Sequence, residues 1–155
     1  MKILVVCTGN TCRSPLAEVV LRRALADEGV EGVEVSSAGT AAFGNEPASE
    51  GSYLVALEHG LDLAAHRARV VTREMVADSD LILAMGRGHL HKLTLLGAGT
   101  KAHLIGDYAR ADGDHEIADP VGGPIEGYRA TYYQLEAMSR AIAKRLAPEV
   151  RRDQR

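Results

Sequence analysis

The chain has no tryptophan, one phenylalanine and two cysteines among its 155 residues, and aromatic residues make up 4% of it. So few rings leave no stacking platform for the bases of a single-stranded nucleic acid. A net charge of −3 offers no basic field for a phosphodiester backbone either, so nucleic acid is not an expected partner. Two cysteines make neither a disulfide framework nor a zinc site, and His89 and His91, two apart, do not share a helix face. No metal or other cofactor is expected. No apolar run is long enough to span a bilayer. The N-terminal run Ile3-Leu4-Val5-Val6 breaks at Thr8-Gly9-Asn10, too soon for a signal peptide. A cytoplasmic monomer without a membrane partner is the expectation.

Repeats, linkers and low-complexity segments are also missing. Hydrophobic residues at 46% and charged residues at 25% suit one globular domain over residues 1–155.

Both cysteines lie in one stretch, Cys7-Thr8-Gly9-Asn10-Thr11-Cys12-Arg13-Ser14-Pro15. The β-branched run before it reads as a buried strand. After it a helix begins, with Ser14 as the cap and Pro15 suited to the first helical position. Strand, tight loop and helix together aim backbone N–H groups and a helix N-terminus at whatever the loop holds. Gly9 and Asn10 tolerate the left-handed backbone that a concave loop needs. A cysteine opens the loop and an arginine closes it. Positive potential of that kind favours a thiolate, which is a nucleophile, and a guanidinium fork grips two phosphate oxygens at once. The loop therefore reads as that of a cysteine phosphatase. Cys7 attacks phosphorus, Arg13 holds the oxygens, and Thr8, Gly9, Asn10, Thr11, Cys12 and Ser14 complete the phosphate cradle, whose preset donors meet the charge of the transferring group. Ser14 can cap the helix, donate to Cys7, or both.

These residues resemble the low-molecular-weight protein tyrosine phosphatase family, whose N-terminal loop is C-x5-R-[ST], often followed by proline. The resemblance continues through Ser37-Ala38-Gly39-Thr40, Gly60, His66-Arg67-Ala68-Arg69, Asp80 to Met85 and Asp119-Pro120, over roughly residues 1–147. It implies that Asp119 is the general acid, protonating the leaving group and later activating the water that hydrolyses a phosphocysteine. Pro120 restricts Asp119 to an extended conformation and stiffens the turn. Relatives of this fold that reduce arsenate need later cysteines, and this chain has none. Thr11 stands where tyrosine phosphatases of the family carry an aliphatic residue such as isoleucine. Asp119-Pro120 is followed by Val121-Gly122-Gly123, where those enzymes place aromatics that flank the substrate ring. Together these features look like the bacterial protein-arginine phosphatase branch. That implies hydrolysis of phosphoarginine in phosphorylated protein substrates, with phosphotyrosine as the alternative and a non-catalytic phosphate-binding module as a third reading. A phosphoguanidinium group has no ring to stack and carries N–H groups that want acceptors.

The pattern predicts an α/β fold: a single domain with a four-stranded parallel sheet, helices on both faces and the phosphate loop after strand 1. The strands are read at Ile3–Val6, Val33–Ser37, Leu81–Met85 and Ala102–Ile105. Helices are read over Pro15–Glu28, closed by Gly29, then Ser52–Glu58, Thr72–Ala77, Gly86–Leu95 and Ile125–Leu146, the last stopped by Pro148. Residues 106–123 read as a polar loop. Four smaller expectations remain. Phe43 caps the core or borders the site mouth, the latter by resemblance. Arg67 and Arg69 are solvated or structural. Tyr132 and Tyr133 pack in the core, although similar pairs can be phosphorylated in the family. Cys12 is a small buried residue or a disulfide partner that protects Cys7.

Overall fold

Ile3, Leu4, Val5 and Val6 are all buried, as the central strand of a sheet covered on both faces must be. In the computed structural model, which describes residues 1–154, they form the middle of β1 (Lys2–Cys7). There follow α1 (Arg13–Asp27), β2 (Glu34–Gly39), α2 (Glu50–Glu58), α3 (Arg73–Asp78), β3 (Leu81–Ala84), α4 (Arg87–Leu95), β4 (Ala102–Leu104), α5 (Ile105–Ala109) and α6 (Ile125–Asp153). The strands pair in parallel in the order β2-β1-β3-β4. Cys7 is level with Gly39 and Val6 with Ala84, so the carboxyl ends of β1, β2 and β3 open together under the loop that follows β1.

Side-chain alternation splits the core in two. Ile3, Val5, Val35, Leu81 and Leu83 face α1 and α6, where Leu16, Leu21, Leu135, Ile142 and Leu146 are fully covered. Leu4, Val6, Ala38, Ile82 and Ala84 face the opposite way, against Val76 of α3 and Leu93 of α4. Each such leucine or isoleucine stabilises the fold by about 1.5–3 kcal/mol. Helices on both faces and the four-stranded parallel sheet are thus as read from the sequence.

The local differences have physical causes. Helix α1 starts at Arg13, with Cys12 as its N-cap. Ser14 is therefore the second helical residue and Pro15 the third, and the Ser14 hydroxyl serves the loop instead of capping. The 106–123 stretch is not all loop, because Ile105 and Tyr108 are buried and wind one helical turn, α5, with the Arg145 guanidinium 3.9 Å from the centre of the Tyr108 ring. Helix α6 passes through Pro148 and ends at Asp153. One proline removes a single donor, whereas Val150 is buried beyond it and Arg151 Nη2 and Gln154 Nε2 donate to the carbonyls of Glu28 and Glu31 at 2.7 and 2.8 Å. Phe43 is 77% exposed and caps no core. Tyr132 is buried, with His59 stacked on it at 3.7 Å, while Tyr133 is exposed.

Strand β2 lies at one edge of the sheet. Its last residue, Gly39, exchanges backbone hydrogen bonds with the 69–71 segment: Gly39 N–H donates to the Arg69 carbonyl and Val71 N–H to the Gly39 carbonyl, both at 2.9 Å. Further back, the edge carbonyls of Val35 and Ser37 are taken by side chains, Arg22 Nη2 at 2.6 Å and Arg69 Nε at 2.9 Å. No helix among the described residues is long and apolar enough to cross a membrane.

Candidate active site

The loop from Thr8 to Cys12 turns because its carbonyls are drawn outward. Thr40 and Ala41 N–H groups donate to the carbonyls of Cys7 and Thr8, and Ser49 N–H to that of Thr11, at 2.8–2.9 Å. His66 Nε2 donates to the Asn10 carbonyl at 2.7 Å and Ser52 Oγ to the Cys12 carbonyl at 2.9 Å. Among the described residues, no backbone carbonyl accepts from the N–H of Gly9, Asn10, Thr11 or Cys12. These amides ring the mouth of α1, whose own first N–H groups lack helical partners, and together they form a nest for an anion.

Asn10 holds the turn. Its φ is +57° and it is wholly buried. Its Nδ2 donates to Ser14 Oγ at 2.8 Å and to Ser37 Oγ at 3.0 Å, and its Oδ1 accepts from Arg69 N–H at 3.0 Å. Arg69 is thus structural, and among the described residues Arg67 bonds only to the carbonyls of Ala64 and His66. Gly39 is needed for the same turn, since a Cβ there would run into the Thr8 carbonyl oxygen and stand 3.0 Å from Asn10 N.

Cys7 is buried at the end of β1, its Sγ 2.9 Å from Ser14 Oγ. Because Asn10 Nδ2 already donates to that oxygen, the Ser14 proton is the group that meets a Cys7 thiolate. Arg13 is 8% exposed at its side chain. Its Nη1 donates to the Ile117 carbonyl at 2.9 Å and its Nη2 to Thr8 Oγ1 at 3.3 Å. Its Nε is buried without a hydrogen-bond partner among the described residues, so one edge of the fork is left for an oxyanion. Asp119 Oδ2 lies 3.5 Å from Arg13 Nη2, and Asp119 Oδ1 accepts from Val121 N–H at 3.1 Å. Cys12 and Cys7 are both free thiols, and Cys12 Sγ is 3.9 Å from the Tyr128 hydroxyl. Burial and the nearby Cys12 raise the Tyr128 phenol above its ordinary pKa.

All nine residues singled out from the sequence therefore meet in one place, with the Cys7 thiol, the Arg13 guanidinium and the Asp119 carboxyl group around the ring of amides. Sequence reasoning missed the supports. Ser37 and His66 stood only as pieces of a resemblance, Arg69 was read as solvated or structural without its tie to Asn10, and His89 stood only as a dismissed metal ligand. His89 is buried on α4, its Nε2 2.8 Å from Thr8 Oγ1. Burial and the positive charge of Arg13 hold its pKa below the ordinary histidine value. Among the described residues no cluster of three or more histidines, cysteines and carboxylates could hold a metal ion.

The chain is similar to known proteins in sequence and in fold. Residues 2–152 match the family model described as low molecular weight phosphotyrosine protein phosphatase. The Escherichia coli low molecular weight protein-tyrosine-phosphatase Etp is 39% identical over 147 residues, 94% of each chain. A protein-arginine-phosphatase of Geobacillus stearothermophilus is also 39% identical, over 150 residues, 96% of this chain and 97% of its own. A solved structure of the arginine phosphatase YwlE, as a mutant with a phosphorylated active-site serine, superimposes with a TM-score of 0.87 at 35% identity, covering 94% of this chain and 95% of its own.

Proposed function

Since the chain belongs to the low molecular weight phosphotyrosine protein phosphatase family, we propose that it is a protein-arginine phosphatase, hydrolysing phosphoarginine through a phosphocysteine. In this reading Cys7 Sγ attacks phosphorus in line, the P–N bond breaks, and Asp119 protonates the departing guanidinium nitrogen. The loop amides and the Arg13 fork carry the charge on the equatorial oxygens. Asp119, now a carboxylate, takes a proton from water as its oxygen attacks phosphorus, and the S–P bond breaks with Ser14 donating to the leaving thiolate. A relative of this fold with a phosphorylated active-site serine supports a phosphoenzyme.

One observation carries the choice of phosphoarginine. The residues that follow Asp119 carry no aromatic ring: they are Pro120, Val121, Gly122 and Gly123, Val121 is exposed, and the next aromatic in sequence, Tyr128, is buried with its hydroxyl 3.9 Å from Cys12 Sγ. An aryl phosphate loses stacking worth roughly 0.5–1.5 kcal/mol per missing ring, whereas a guanidinium finds the accepting oxygens of the Asp119 carboxyl group and the Thr11 hydroxyl. The likeness to Etp supports phosphotyrosine as the second reading.

The test compares kcat/KM for a phosphoarginine and a phosphotyrosine peptide in the parent and in Thr11→Ile, with Cys7→Ser as the inactive control. Preference for phosphoarginine that Thr11→Ile removes is the expected result. A parent that prefers phosphotyrosine transfers the assignment to the second reading.

A further inference from the structure

Thr8 has a hydroxyl whose partners are unusual for an exposed side chain. Its Oγ1 accepts from Arg13 Nη2 at 3.3 Å and lies 2.8 Å from His89 Nε2. A hydroxyl has two lone pairs and one proton, so the tautomer of His89 decides where that proton goes. The other ring nitrogen, Nδ1, is buried and has no partner among the described residues. It faces Gly86, where a Cβ would stand 3.4 Å from it. A buried orphan N–H costs more than an orphan lone pair and is rarer. The hydrogen therefore sits on Nε2, and Nδ1 carries the lone pair. His89 donates, Arg13 donates, and both lone pairs of Thr8 Oγ1 are filled.

We propose that His89 is a positioning residue of the phosphoryl-transfer site: its Nε2–H and the Arg13 guanidinium together turn the Thr8 hydroxyl into a fixed hydrogen-bond donor toward the bound phosphoryl group. The inference rests on the phosphatase reading, with either substrate. Thr8 and Asp119 flank the same nitrogen, Arg13 Nη2, so the donor stands at the mouth of the loop where the leaving group departs. The Thr8 hydroxyl proton supplements the backbone amides and falls on an oxygen that gains charge as the bond to phosphorus changes hands. The charged groups around His89 are Arg13 from α1, Asp119, and Glu116, whose Oε2 would lie 3.1 Å from a Cβ at Gly86. Glu116 is itself engaged by Arg87, at 2.9 Å from both its N–H and its Nη1. Burial and Arg13 keep the imidazole neutral toward the acid side, which preserves the lone pair on Nδ1.

A double-mutant cycle tests this in the full-length protein, with p-nitrophenyl phosphate and a phosphoarginine peptide as substrates. Thr8 is exposed, so Thr8→Val and Thr8→Ser leave the core intact. Thr8→Val is expected to lower kcat more than it raises KM, by roughly ten- to a hundredfold in kcat/KM, the value of a hydrogen bond to a charged group. Thr8→Ser restores most of the rate. His89→Leu costs a similar factor alone and nothing further when Thr8 is already valine. His89→Gln, which keeps an N–H within reach, stays nearer the parent than His89→Leu. Additive losses in the double variant would overturn the proposal, since His89 would then act through the packing of α4, and so would an unaltered kcat in Thr8→Val. Should His89→Leu fail to fold, the same decision falls to Thr8→Val against His89→Gln. A parent that hydrolyses neither substrate instead rejects the phosphatase reading itself.

Discussion

Ser14 Oγ lies 2.9 Å from Cys7 Sγ, and the Asn10 bond on the far side of that oxygen leaves the serine proton for the sulfur. The Cys7 thiol is thus held by a side chain of the helix that its own loop begins. In Ser14→Ala the departing thiolate loses this donor. Stopped-flow hydrolysis of p-nitrophenyl phosphate should show a larger burst and a slower steady rate, with kcat lower by roughly ten- to a hundredfold. Unchanged kcat would remove Ser14 from the reaction.

Asn10→Ala should be among the most damaging single changes outside the reacting residues. It deletes three side-chain hydrogen bonds from a wholly buried position and places an alanine at φ +57°. The expected loss is about 2–5 kcal/mol, read as a drop in the urea midpoint. Asn10→Gly relieves the backbone alone and should recover about 1–2 kcal/mol of it. Equal midpoints for the two variants would count against a strained turn.

Asp119→Asn keeps the size of the side chain but cannot give up a proton. With a phosphoarginine peptide or an alkyl phosphate, kcat should fall by roughly 10²–10⁴. With p-nitrophenyl phosphate, whose leaving group needs little help, the loss in the first step should be smaller. A variant as fast as the parent on the poor leaving group would displace Asp119 as the acid.

Gly39→Ala reports on the loop from outside it. The added methyl meets the Thr8 carbonyl and Asn10 N, both backbone atoms that cannot swing aside, so the cradle must shift. Overpacking of this kind costs about 1–3 kcal/mol. Vanadate inhibition should weaken as well, and a parent-like inhibition constant would show that the loop tolerates the change.

His115 gives a pH dependence with a definite sign. Its Nδ1 faces Asp107 Oδ1 at 2.5 Å and its Nε2 the Ala111 carbonyl at 2.7 Å. Two acceptors, one at each nitrogen, suit the imidazolium form. The Asp107 hydrogen bond first, and then the Ala111 carbonyl, raise its pKa above the ordinary histidine value. A raised histidine contributes stability that is fully present below the unfolded-state pKa and is lost as pH rises through the folded-state pKa. Melting temperatures of the parent and of His115→Gln should therefore differ most below about pH 6.5 and converge above the raised pKa. A difference that grows on the alkaline side would reverse the assignment.

The parts of the molecule legible in the sequence are those whose signals are local. The Cys7 to Pro15 stretch, the apolar strand runs and the long stripe of α6 each declare themselves within about ten residues. What escaped depends on distant partners. One turn of helix at Ile105–Ala109 forms because α6 brings Arg145 over Tyr108. The passage of α6 through Pro148 depends on carbonyls near residue 30. His66, Arg69 and His89 reach the loop across 56, 59 and 81 residues of sequence, and no periodicity records such a contact. Of the two readings of Ser14, the cap fails because Cys12, two residues earlier, takes that position, and the contact with Cys7 stands.

The two arginines along β2 bear on how copies of this molecule meet one another. An open strand edge offers a row of carbonyl acceptors to any passing chain, and a parallel sheet leaves that row unprotected until its neighbours close over it. Here an incoming strand would first have to evict Arg22 from Val35 and Arg69 from Ser37. It would then set its own backbone beside two displaced cations. Because Arg69 also braces Asn10 through its backbone N–H, a chain that pried open this edge would loosen the phosphate cradle at the same stroke. Colloidal behaviour and the shape of the loop meet in that sense at one residue, Arg69.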